Sequence, residues 1–569
     1  MSSPAHQPLH PQQPTASAES GASPVGSAGR AQDADLSGAT APTQRAGRAQ
    51  DADLSGATAP TQRTGHARDA DLSGATAPTQ RAGHARDADP SIADADFATF
   101  LRVIEQVGSL PSDHPQLAAA RRATSALFKA AKKQRRTERR DAINDADRSV
   151  IESTATGSMG RIDDETAGIP LTSSVRGAIA GTLKKPRPCY ICKQDYTQVD
   201  AFYHQLCPTC AAFNHAKRDA RTDLTGKRAL LTGGRAKIGM YIALRLLRDG
   251  AHTTITTRFP KDAARRFAAM PDSAAWLDRL TIVGIDLRDP AQVVHLADIV
   301  AAAGPLDILI NNAAQTVRRT AGAYQQLVQA ESQPLLLDSI PTVHSLGNTS
   351  SAHPHALAGA VSELQLAEKG DSSLRDVAKL ALTAQAASME ELLAGTSIDA
   401  GGLIPDTVDH NSWVAAVQHV DPLELLEVQL CNQTAPFILI SRLRASMAAS
   451  PARRTYVVNV SAMEGVFSRG YKGPGHPHTN MSKAALNMLT RTSAAEMFES
   501  DRILMTAVDT GWITDERPHP TKIRMAQEGF HAPLDLVDGA ARVYDPIVRG
   551  EAGEDVYGCF LKDYSPSKW

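Results

Sequence analysis

Aromatic side chains are scarce in this sequence. They make up 5% of the 569 residues, and none occurs before Phe97. Residues 1–95 are instead rich in Ala, Gly, Ser, Thr, Pro and Asp. Such a composition buries too little apolar surface to offset the conformational entropy of the chain. The sequence therefore predicts a disordered tail over residues 1–95.

The tail contains a tandem repeat. The unit AGRAQDADLSGATAPTQR occupies residues 28–45 and 46–63 and returns with small changes at 64–81. Each unit has one leucine, so stacked units would have almost no core, and a solenoid is excluded. Two interpretations remain open. The tail is a tether or partner-binding segment, or it is a neutral tandem expansion.

Long apolar runs and a strong net charge are also lacking. No run reaches the length of a membrane span, and the first residues lack the basic start and apolar stretch of a secretory signal. The formal net charge is −2, which gives no general electrostatic reason to bind nucleic acid or an anionic membrane. These absences predict a cytoplasmic protein without membrane association.

A helical and linker segment is predicted over residues 96–185. FATFLRVIEQV, starting at Phe97, has helical apolar spacing, and residues 116–148 contain neither Gly nor Pro. The centre of the second stretch, residues 129–140, is basic. Because no aromatic residues interleave with these charges, the pattern favours a solvated helix face over a nucleic-acid surface.

Cysteines are few, but their spacing is informative. Four of the six form two C-x-x-C pairs with fourteen residues between the pairs: Cys189, Cys192, Cys207 and Cys210. Four such thiolates can converge on one Zn²⁺, and a site with four protein ligands has no open position for a substrate. The pattern therefore predicts a structural zinc module over residues 186–222, with His204 and His215 outside the ligand set. A redox dithiol or buried thiols are the alternatives. The module is a structural brace or a surface for nucleic acid or for a protein partner, and the sequence does not select between these roles.

The pattern changes again at residue 223. Strand-like runs at 228–231, 252–258, 280–286 and 306–311 alternate with helix-like runs. Strands that alternate with helices indicate a parallel, doubly wound α/β sheet, the Rossmann type. We expect this domain to extend from residue 223 to 569.

The turn after the first strand carries a family resemblance. Residues 232–239 read TGGRAKIG, which resembles the TGxxxGxG turn of the short-chain dehydrogenase/reductase family, with Lys237 in place of the middle glycine. Glycines there let the backbone approach a pyrophosphate at a helix N-terminus. The resemblance implies cofactor contacts from four residues of the turn: Thr232, Gly233, Ile238 and Gly239.

Further motifs follow in family order and cover residues 225–320 and 425–569. Asp286 and Leu287 follow the third strand, where the family contacts adenine. NNAA at 311–314 resembles the family's NNAG, in which the loop passes under the cofactor, and TGWIT at 510–514 resembles its Pro-Gly-x-x-Thr. The resemblance thereby implies additional cofactor contacts from Asn312, Ala313, Gly511 and Thr514.

The end of the second strand favours NADP(H) over NAD(H). Arg258 stands where an NAD-preferring domain carries an acidic residue. Together with Arg235 and Lys237 in the glycine turn, it offers cations for a 2′-phosphate. The alternative is that these side chains extend into solvent.

A long insertion separates the two halves of the resemblance. Asn312 and Asn432 are far more widely spaced than in the family, and residues 320–411 are the extra stretch. A lid or substrate-binding cap is one interpretation. A peripheral or oligomerisation insert is the other.

The catalytic constellation of the family is incomplete. Asn432 resembles the helix asparagine of the proton relay, and Lys483 matches the lysine of the family's Tyr-x-x-x-Lys. Thr479 stands in the tyrosine position, and an alkyl hydroxyl has no usable acidity near neutral pH. The family's Ser-Ser pair reads Ser461-Ala462, so Ser461 could serve only if the end of the strand shifts by one residue.

Two functions remain open. The first is an NADP(H)-dependent oxidoreductase acting on a small carbonyl or alcohol substrate, with Tyr471, His476 or His478 as the replacement proton donor. The second is a catalytically inactive NADP(H)-binding protein that presents the zinc module and the insertion to a protein partner. The resemblance also implies a homo-oligomer.

Overall fold

The computed structural model describes most of the chain after the predicted tail. The described residues are 92–159, 161, 171–319, 322–336, 341–347, 403, 408–514 and 516–569. The predicted disordered tail, apart from its last few residues, and most of the predicted insertion lie outside them.

Two helices precede the zinc module, as predicted. They are α1 (Asp94–Gly108) and α2 (Pro115–Glu152). The lysine and arginine side chains of residues 129–140 are all exposed on α2. No described helix is both long and apolar enough to cross a membrane.

The cysteine-rich segment folds as a hairpin followed by a helix. Strands β1 (Ile179–Pro188) and β2 (Asp195–Asp200) pair antiparallel, and α3 (Pro208–Asp219) follows. The hairpin begins before residue 186, the predicted start of the module. The end of α2 is fastened to it, because the buried carboxylate of Asp147 accepts hydrogen bonds from the backbone of Lys184 at 2.5 Å and Lys185 at 3.1 Å.

The remaining chain alternates strands and helices. The first half contains β3 (Arg228–Leu231), α4 (Lys237–Arg248), β4 (His252–Thr257), α5 (Pro260–Ala268), β5 (Leu280–Gly284), α6 (Pro290–Ala302), β6 (Ile308–Asn311), α7 (Gln325–Ser332) and β7 (Thr342–Ser345). The second half contains α8 (Pro422–Gln429), α9 (Ala435–Ala448), β8 (Thr455–Ser461), α10 (Pro477–Asp501), β9 (Ile503–Asp509), α11 (His519–Gln527), α12 (Leu536–Glu551), β10 (Phe560–Lys562) and β11 (Ser565–Ser567).

Among the described residues these strands form one nine-stranded sheet in the order β11-β10-β9-β8-β6-β3-β4-β5-β7. Every pairing is parallel except that of β10 with β11. Helices cover both faces, so central strands are buried on both sides and read as nearly continuous apolar runs. In β8, Val458 packs into one apolar layer and Val457 into the other. The predicted Rossmann-type α/β fold is confirmed.

The described part of the insertion returns to the sheet, which the sequence did not predict. Strand β7 extends the edge beyond β5, with Val343 opposite Ile282. Ahead of it, the carboxylate of Glu331 at the end of α7 accepts the backbone N–H groups of Lys261 at 3.1 Å and Asp262 at 2.7 Å. These groups belong to the first turn of α5, where N–H groups lack partners within the helix.

Candidate functional site

The four paired cysteines converge as predicted. Their Sγ atoms all lie within 4.8 Å of one another, and those of Cys192 and Cys207 are 3.7 Å apart. A tetrahedral zinc site with Zn–S bonds near 2.3 Å has sulfur–sulfur edges of about 3.8 Å. Cys189 and Cys207 are buried, whereas Cys192 is exposed. The donor set and its spacing therefore fit Zn²⁺.

Backbone N–H groups stabilise negative sulfur in this cluster. The N–H of Cys207 donates to Sγ of Cys189 at 3.3 Å. The N–H of Gln194 lowers the pKa of the Cys192 thiol, while burial raises the pKa of Cys210. Lowered thiol pKa values favour the thiolate form that binds metals.

The two nearby histidines have other contacts. Nδ1 of His204 lies 2.8 Å from Oγ1 of Thr156, and burial lowers its pKa. Nε2 of His215 lies 3.2 Å from a carboxylate oxygen of Asp200. Neither belongs to the cluster of four sulfurs.

The glycine turn after β3 is tightly packed. Gly233 has φ +70°, and a Cβ there would lie 2.9 Å from Cα of Ala313. A Cβ on Gly239 would lie 2.0 Å from the carbonyl oxygen of Gly233. Lys237, in place of the family's middle glycine, keeps the left-handed backbone with φ 53°, a conformation that costs a side-chain-bearing residue energy. The turn therefore retains the backbone path that a glycine would allow.

The turn is locked to the Asn-Asn loop after β6. Oγ1 of Thr232 accepts the backbone N–H groups of Asn312 and Ala313, both at 3.0 Å. The Nδ2 of Asn312 donates to the carbonyl oxygens of Thr232 and Gly233, also at 3.0 Å. Oδ1 of Asn312 is buried and has no hydrogen-bond partner within the described chain. The two segments approach each other closely at their backbones, and one buried acceptor, Oδ1 of Asn312, is left for a ligand. Both features fit a dinucleotide cofactor.

At the end of β4, Arg258 lies against a residue from the insertion. Its guanidinium donates to the hydroxyl of Tyr324 at 3.1 Å and lies 5.0 Å from the centre of that ring. In the glycine turn, Arg235 pairs with Asp262 at 2.6 Å. Two of the three predicted 2′-phosphate cations, Arg258 and Arg235, therefore lie at this edge, whereas Nζ of Lys237 lies 3.8 Å from a carboxylate oxygen of Glu516. Sequence analysis missed Tyr324.

After β5, Asp286 and Leu287 differ in environment. The carboxylate of Asp286 pairs with Arg288 at 2.7 Å, and Leu287 is buried in the apolar layer under α6. Arg288 also pairs with the fully buried Glu427 of α8 at 2.8 Å. This links the predicted adenine contact to the helix that precedes Asn432.

Asn432 lies in a π-helical turn, Leu430–Thr434, between α8 and α9. Such turns are rare and are frequent at functional sites. The side-chain amide of Asn432 makes two hydrogen bonds with the backbone of Gln315: it accepts the N–H at 2.7 Å and donates to the carbonyl oxygen at 2.9 Å.

Two glutamates of α8 hold the same loop. Glu427 accepts the side-chain amide of Gln315 at 2.7 Å, and Glu424 accepts the N–H of Arg318 at 2.8 Å. Sequence analysis missed both glutamates, although two carboxylates three residues apart on an apolar helix were a visible signal.

Four of the predicted catalytic residues lie on β8 or α10: Ser461, His478, Thr479 and Lys483. Nζ of Lys483 donates to the carbonyl oxygen of Val460 at 2.8 Å, and burial lowers the pKa of this lysine to about 8. The hydroxyl of Ser461 donates to Oδ1 of Asn487 at 2.6 Å. Ser461 is the last residue of β8, which pairs with β9 in continuous register from Thr455 onward. The hydroxyl of Ser461 faces α10.

The three replacement donors occupy different environments. His478 is buried beside Thr479 on α10, and neither ring nitrogen has a hydrogen-bond partner in the described chain. His476 stacks on Trp413 at 4.0 Å and contacts its carbonyl oxygen through Nδ1 at 2.8 Å. Tyr471 is exposed. Among the three, His478 is the buried residue of α10, the helix that also carries the buried Lys483.

The loop after β9 contacts the zinc module. Gly511 has φ +75°, and a Cβ there would lie 2.6 Å from Cδ1 of Leu534. The N–H of Trp512 donates to the hydroxyl of Tyr190 at 3.0 Å. Thr514 follows, partly exposed. Tyr190 lies between two of the clustered cysteines, so the predicted cofactor loop and the four-cysteine cluster are neighbours.

Known proteins resemble this chain to different extents. A family profile described as short chain dehydrogenase matches residues 227–332. "Uncharacterized protein R665" of Acanthamoeba polyphaga mimivirus is 30% identical over 377 residues, 63% of this chain and 71% of that protein. "Probable oxidoreductase" of Streptomyces antibioticus is 41% identical over 91 residues, 16% of this chain and 30% of that protein. A solved short chain dehydrogenase from Burkholderia cenocepacia in complex with NADP is 19% identical, with a TM-score of 0.35, over 59% of this chain and 98% of that one.

The profile match begins just before β3 and includes the glycine turn and the Asn-Asn loop. The domain has the sheet order and locked turn described above, and it departs from the family pattern at Ala462 and Thr479. The chain therefore belongs to the short-chain dehydrogenase/reductase family, as a divergent member that also carries a four-cysteine cluster.

Proposed function

We propose that this protein is an NADP(H)-dependent oxidoreductase that acts on a small carbonyl or alcohol substrate without the family's tyrosine. The observation that carries the proposal is the interlock between the glycine turn and the Asn312 loop. Four hydrogen bonds of 3.0 Å hold the two segments together. Lys237 keeps a left-handed backbone, with φ 53°, although this conformation is costly for a residue with a side chain. The retained geometry supports a dinucleotide site.

The cofactor in this proposal is NADP(H). Arg258 and Arg235 lie at the adenosine end of the site, and β4 is followed by Arg258 where an acidic residue would favour NAD(H). NADP(H), when bound, supplies or accepts the hydride. Thr232, Gly233, Ile238 and Gly239 of the turn, with Asn312, Ala313, Gly511 and Thr514, hold it.

The chain's own residues supply binding and a proton. Lys483 holds the ribose side of the site, and its lowered pKa lets it exchange a proton near pH 8. His478 is the proposed proton donor or acceptor. Its buried ring has both nitrogens available, and the nearest carboxylate, on Glu424, is 4.0 Å from Nε2. Asn432 positions the Gln315 loop beside them.

A second candidate is an NADP(H)-binding protein without turnover. One observation favours it. The hydroxyl of Ser461 donates its hydrogen bond to Asn487, and the next residue, Ala462, has no hydroxyl that could polarise a substrate carbonyl. In that case the zinc module or the insertion would serve a protein partner. Both candidates share the cofactor site and differ in whether reduced cofactor is consumed.

Turnover separates the two candidates. The purified full chain is mixed with NADPH and a panel of carbonyls, imines and enones while the reduced nicotinamide absorbance is followed. The oxidoreductase proposal expects consumption with at least one class, and it expects His478→Gln to lower kcat about a hundredfold or more, as for the loss of a general acid. His419→Gln, at an exposed histidine, is the matched control. Tight NADPH binding with no consumption anywhere would favour the second candidate.

The metal in this proposal is a structural Zn²⁺ held by Cys189, Cys192, Cys207 and Cys210. Four protein sulfurs complete its coordination, so it takes no substrate. The donor set supports this ion, because four sulfurs lie within 4.8 Å of one another and one pair is 3.7 Å apart, close to the edge of a tetrahedral zinc site.

We further propose a homo-oligomer. Large apolar side chains, including Phe437, Met481 and Met488, are exposed on the α9 and α10 surface. Beside them lies a groove of about 300 Å³ lined by Gln433, Thr434, Phe437, Ala485, Leu486 and Leu489. Exposed apolar side chains beside a groove are typical of association sites, and most oligomers of a single chain pair the same surface of both copies.

A further inference from the structure

One apolar cluster connects the metal ligands to the cofactor turn. Cys189 and Cys207 belong to a buried cluster that also contains Ile513 and Leu534 from the region after β9. Ile238 of the glycine turn packs against the same cluster. Because buried side chains pack closely, displacement of the cysteines is transmitted to the residues they contact.

Helix α12 packs closely against the loop after β9 and against the glycine turn. A Cβ on Gly539 of α12 would lie 2.8 Å from Cδ1 of Ile513 and 2.9 Å from Cγ2 of Ile238. Only a glycine lets α12 approach both side chains this closely. The glycine turn and the loop after β9 therefore share one tightly packed junction beneath the module.

A polar contact joins the C-x-x-C turn to the cofactor loop. Tyr190, between Cys189 and Cys192, accepts the N–H of Trp512 at 3.0 Å. Trp512 directly follows Gly511, the predicted cofactor contact. A turn that is closed by a metal thereby presents the hydroxyl that fixes this loop.

The segment between α11 and α12, which follows that loop in the chain, is also held from the N-terminal side. The guanidinium of Arg161 donates to the carbonyl oxygens of Ala532 at 2.7 Å and Leu534 at 2.6 Å. Gln205, two residues before Cys207, donates to the carbonyl oxygen of His531 at 3.2 Å. Backbone carbonyls in a loop would otherwise depend on water.

Helix α3 then anchors the start of α12. Arg218 donates to both carboxylate oxygens of Asp535 at 2.5 and 3.1 Å. Tyr203 donates to the buried carboxylate of Asp538 at 2.6 Å. Asp535 and Asp538 form the capping box of α12, so the module's side chains complete the helix terminus.

We infer that the metal-loaded module positions the cofactor site, so that metal binding at the four cysteines and NADP(H) binding strengthen each other. Tyr190 is the positioning residue that connects the cysteine turn to Trp512. The inference rests on the proposed function for its second ligand. Because coupling between two bound ligands is reciprocal, each should raise the affinity of the other by the same factor.

Tyr190→Phe tests the connection without removing a metal ligand. It deletes the acceptor of the Trp512 N–H, and we expect the Kd for NADPH to rise about three- to tenfold, as for one lost hydrogen bond. Hydrogen exchange at residues 511–514 should quicken, and zinc content should not change. Tyr196→Phe is the matched control, because its hydroxyl also makes a buried bond, to the carbonyl oxygen of His204 at 2.7 Å, but within the module. It should leave NADPH affinity unchanged.

Metal removal tests the linkage itself. The full chain is compared before and after chelation and after Zn²⁺ is restored, by calorimetric NADPH titration and by hydrogen exchange of residues 511–535. We expect weaker NADPH binding and faster exchange without metal, both reversed by Zn²⁺. Equal Kd values and equal exchange in both forms would overturn the inference. So would a Tyr190→Phe variant that matches Tyr196→Phe.

NADP(H) binding and its coupling to the metal are tested by different outcomes. If the metal-loaded chain does not bind NADPH, the proposed function is wrong, while the exchange of residues 511–535 still reports whether the metal orders this loop. If chelation unfolds the whole chain, the Tyr190→Phe comparison decides the inference, because that variant keeps all four cysteines.

Discussion

The ammonium of Lys483 donates a hydrogen bond to the carbonyl oxygen of Val460 at 2.8 Å, between α10 and the end of β8. One helical turn earlier, Thr479 shares the buried face of α10 but its hydroxyl has no partner within the described residues. The lysine of the family motif is thus retained in a defined contact, while the hydroxyl in the tyrosine position is unused. This contrast gives the first prediction.

Thr479→Val removes that hydroxyl with little change in shape. Since no bond is lost, we expect the free energy of unfolding to change by less than about 0.5 kcal/mol, with turnover unchanged. Urea denaturation and NADPH consumption check both. Thr490→Val is the control, because its hydroxyl accepts from Asn459 at 2.9 Å and donates to Leu486 at 3.1 Å. It should destabilise by about 1–3 kcal/mol. A tenfold loss of kcat in Thr479→Val would show that the threonine takes part in catalysis.

Zinc content follows from the cysteine cluster. We expect the full chain to carry one equivalent of Zn²⁺ and Cys192→Ser to lose most of it, because three thiolates bind the ion more weakly. Cys192 is exposed, so the substitution itself leaves the core in place. Cys559→Ser, outside the cluster, should keep its metal. Metal analysis after gel filtration measures all three, and equal zinc in the two variants would contradict the assignment.

Asp509 predicts a pH dependence of stability. Burial, and next the charges of Glu464 and Asp563, raise the pKa of this carboxyl from 3.8 to about 6. The folded state therefore binds this proton more tightly than the unfolded chain does. The contribution of Asp509 to the free energy of unfolding falls as pH rises from about 4 to 6. The difference corresponds to at most about 3 kcal/mol.

Asp509→Asn removes this titration and retains an oxygen for the N–H of Gly511, which lies 3.3 Å from Oδ1. Relative to the original chain, its free energy of unfolding should rise by about 2 kcal/mol between pH 4 and pH 7. Urea denaturation across this range provides the comparison, in which other titrating groups cancel. Parallel curves would show that Asp509 has an ordinary pKa.

The exposed apolar face predicts self-association. Phe437→Glu places a charge beside the groove on α9 and α10, so we expect it to shift the sedimentation coefficient from oligomer toward monomer. Val328→Glu is a suitable control, since Val328 is similarly exposed on α7. A monomeric original chain, or an unchanged assembly in Phe437→Glu, would refute the proposed interface.

Local chemistry explains what was predictable from the sequence. The two C-x-x-C pairs and the glycine turn depend on residue types at short, fixed spacings, and both appear in the structure where expected. The fold followed from alternating strand and helix patterns. By contrast, the contact between Tyr190 and Trp512 joins residues 322 positions apart, and no local pattern encodes it. The contact between Tyr324 and Arg258 was equally unpredictable, because no sequence pattern indicates where an insertion packs against the sheet.

Ser461 depends on strand register for the direction of its side chain. Its sequence position left open a one-residue shift, and a shift by one would have reversed the side-chain direction. Only the ladder with β9 and the bond to Asn487 settle which way the hydroxyl faces. Registers of buried parallel strands depend on packing on both sides, which a single strand does not reveal.

We propose a retained NADP(H) site in a domain that lacks the family's tyrosine. Calorimetric titration of the zinc-loaded full chain with NADPH and with NADH tests it most directly, with Arg258→Leu alongside. We expect NADPH to bind more tightly than NADH, and Arg258→Leu to weaken NADPH about tenfold or more while NADH is unaffected, as for a lost charge-assisted contact. No binding of either dinucleotide, or equal affinities that Arg258→Leu leaves unchanged, would contradict the account.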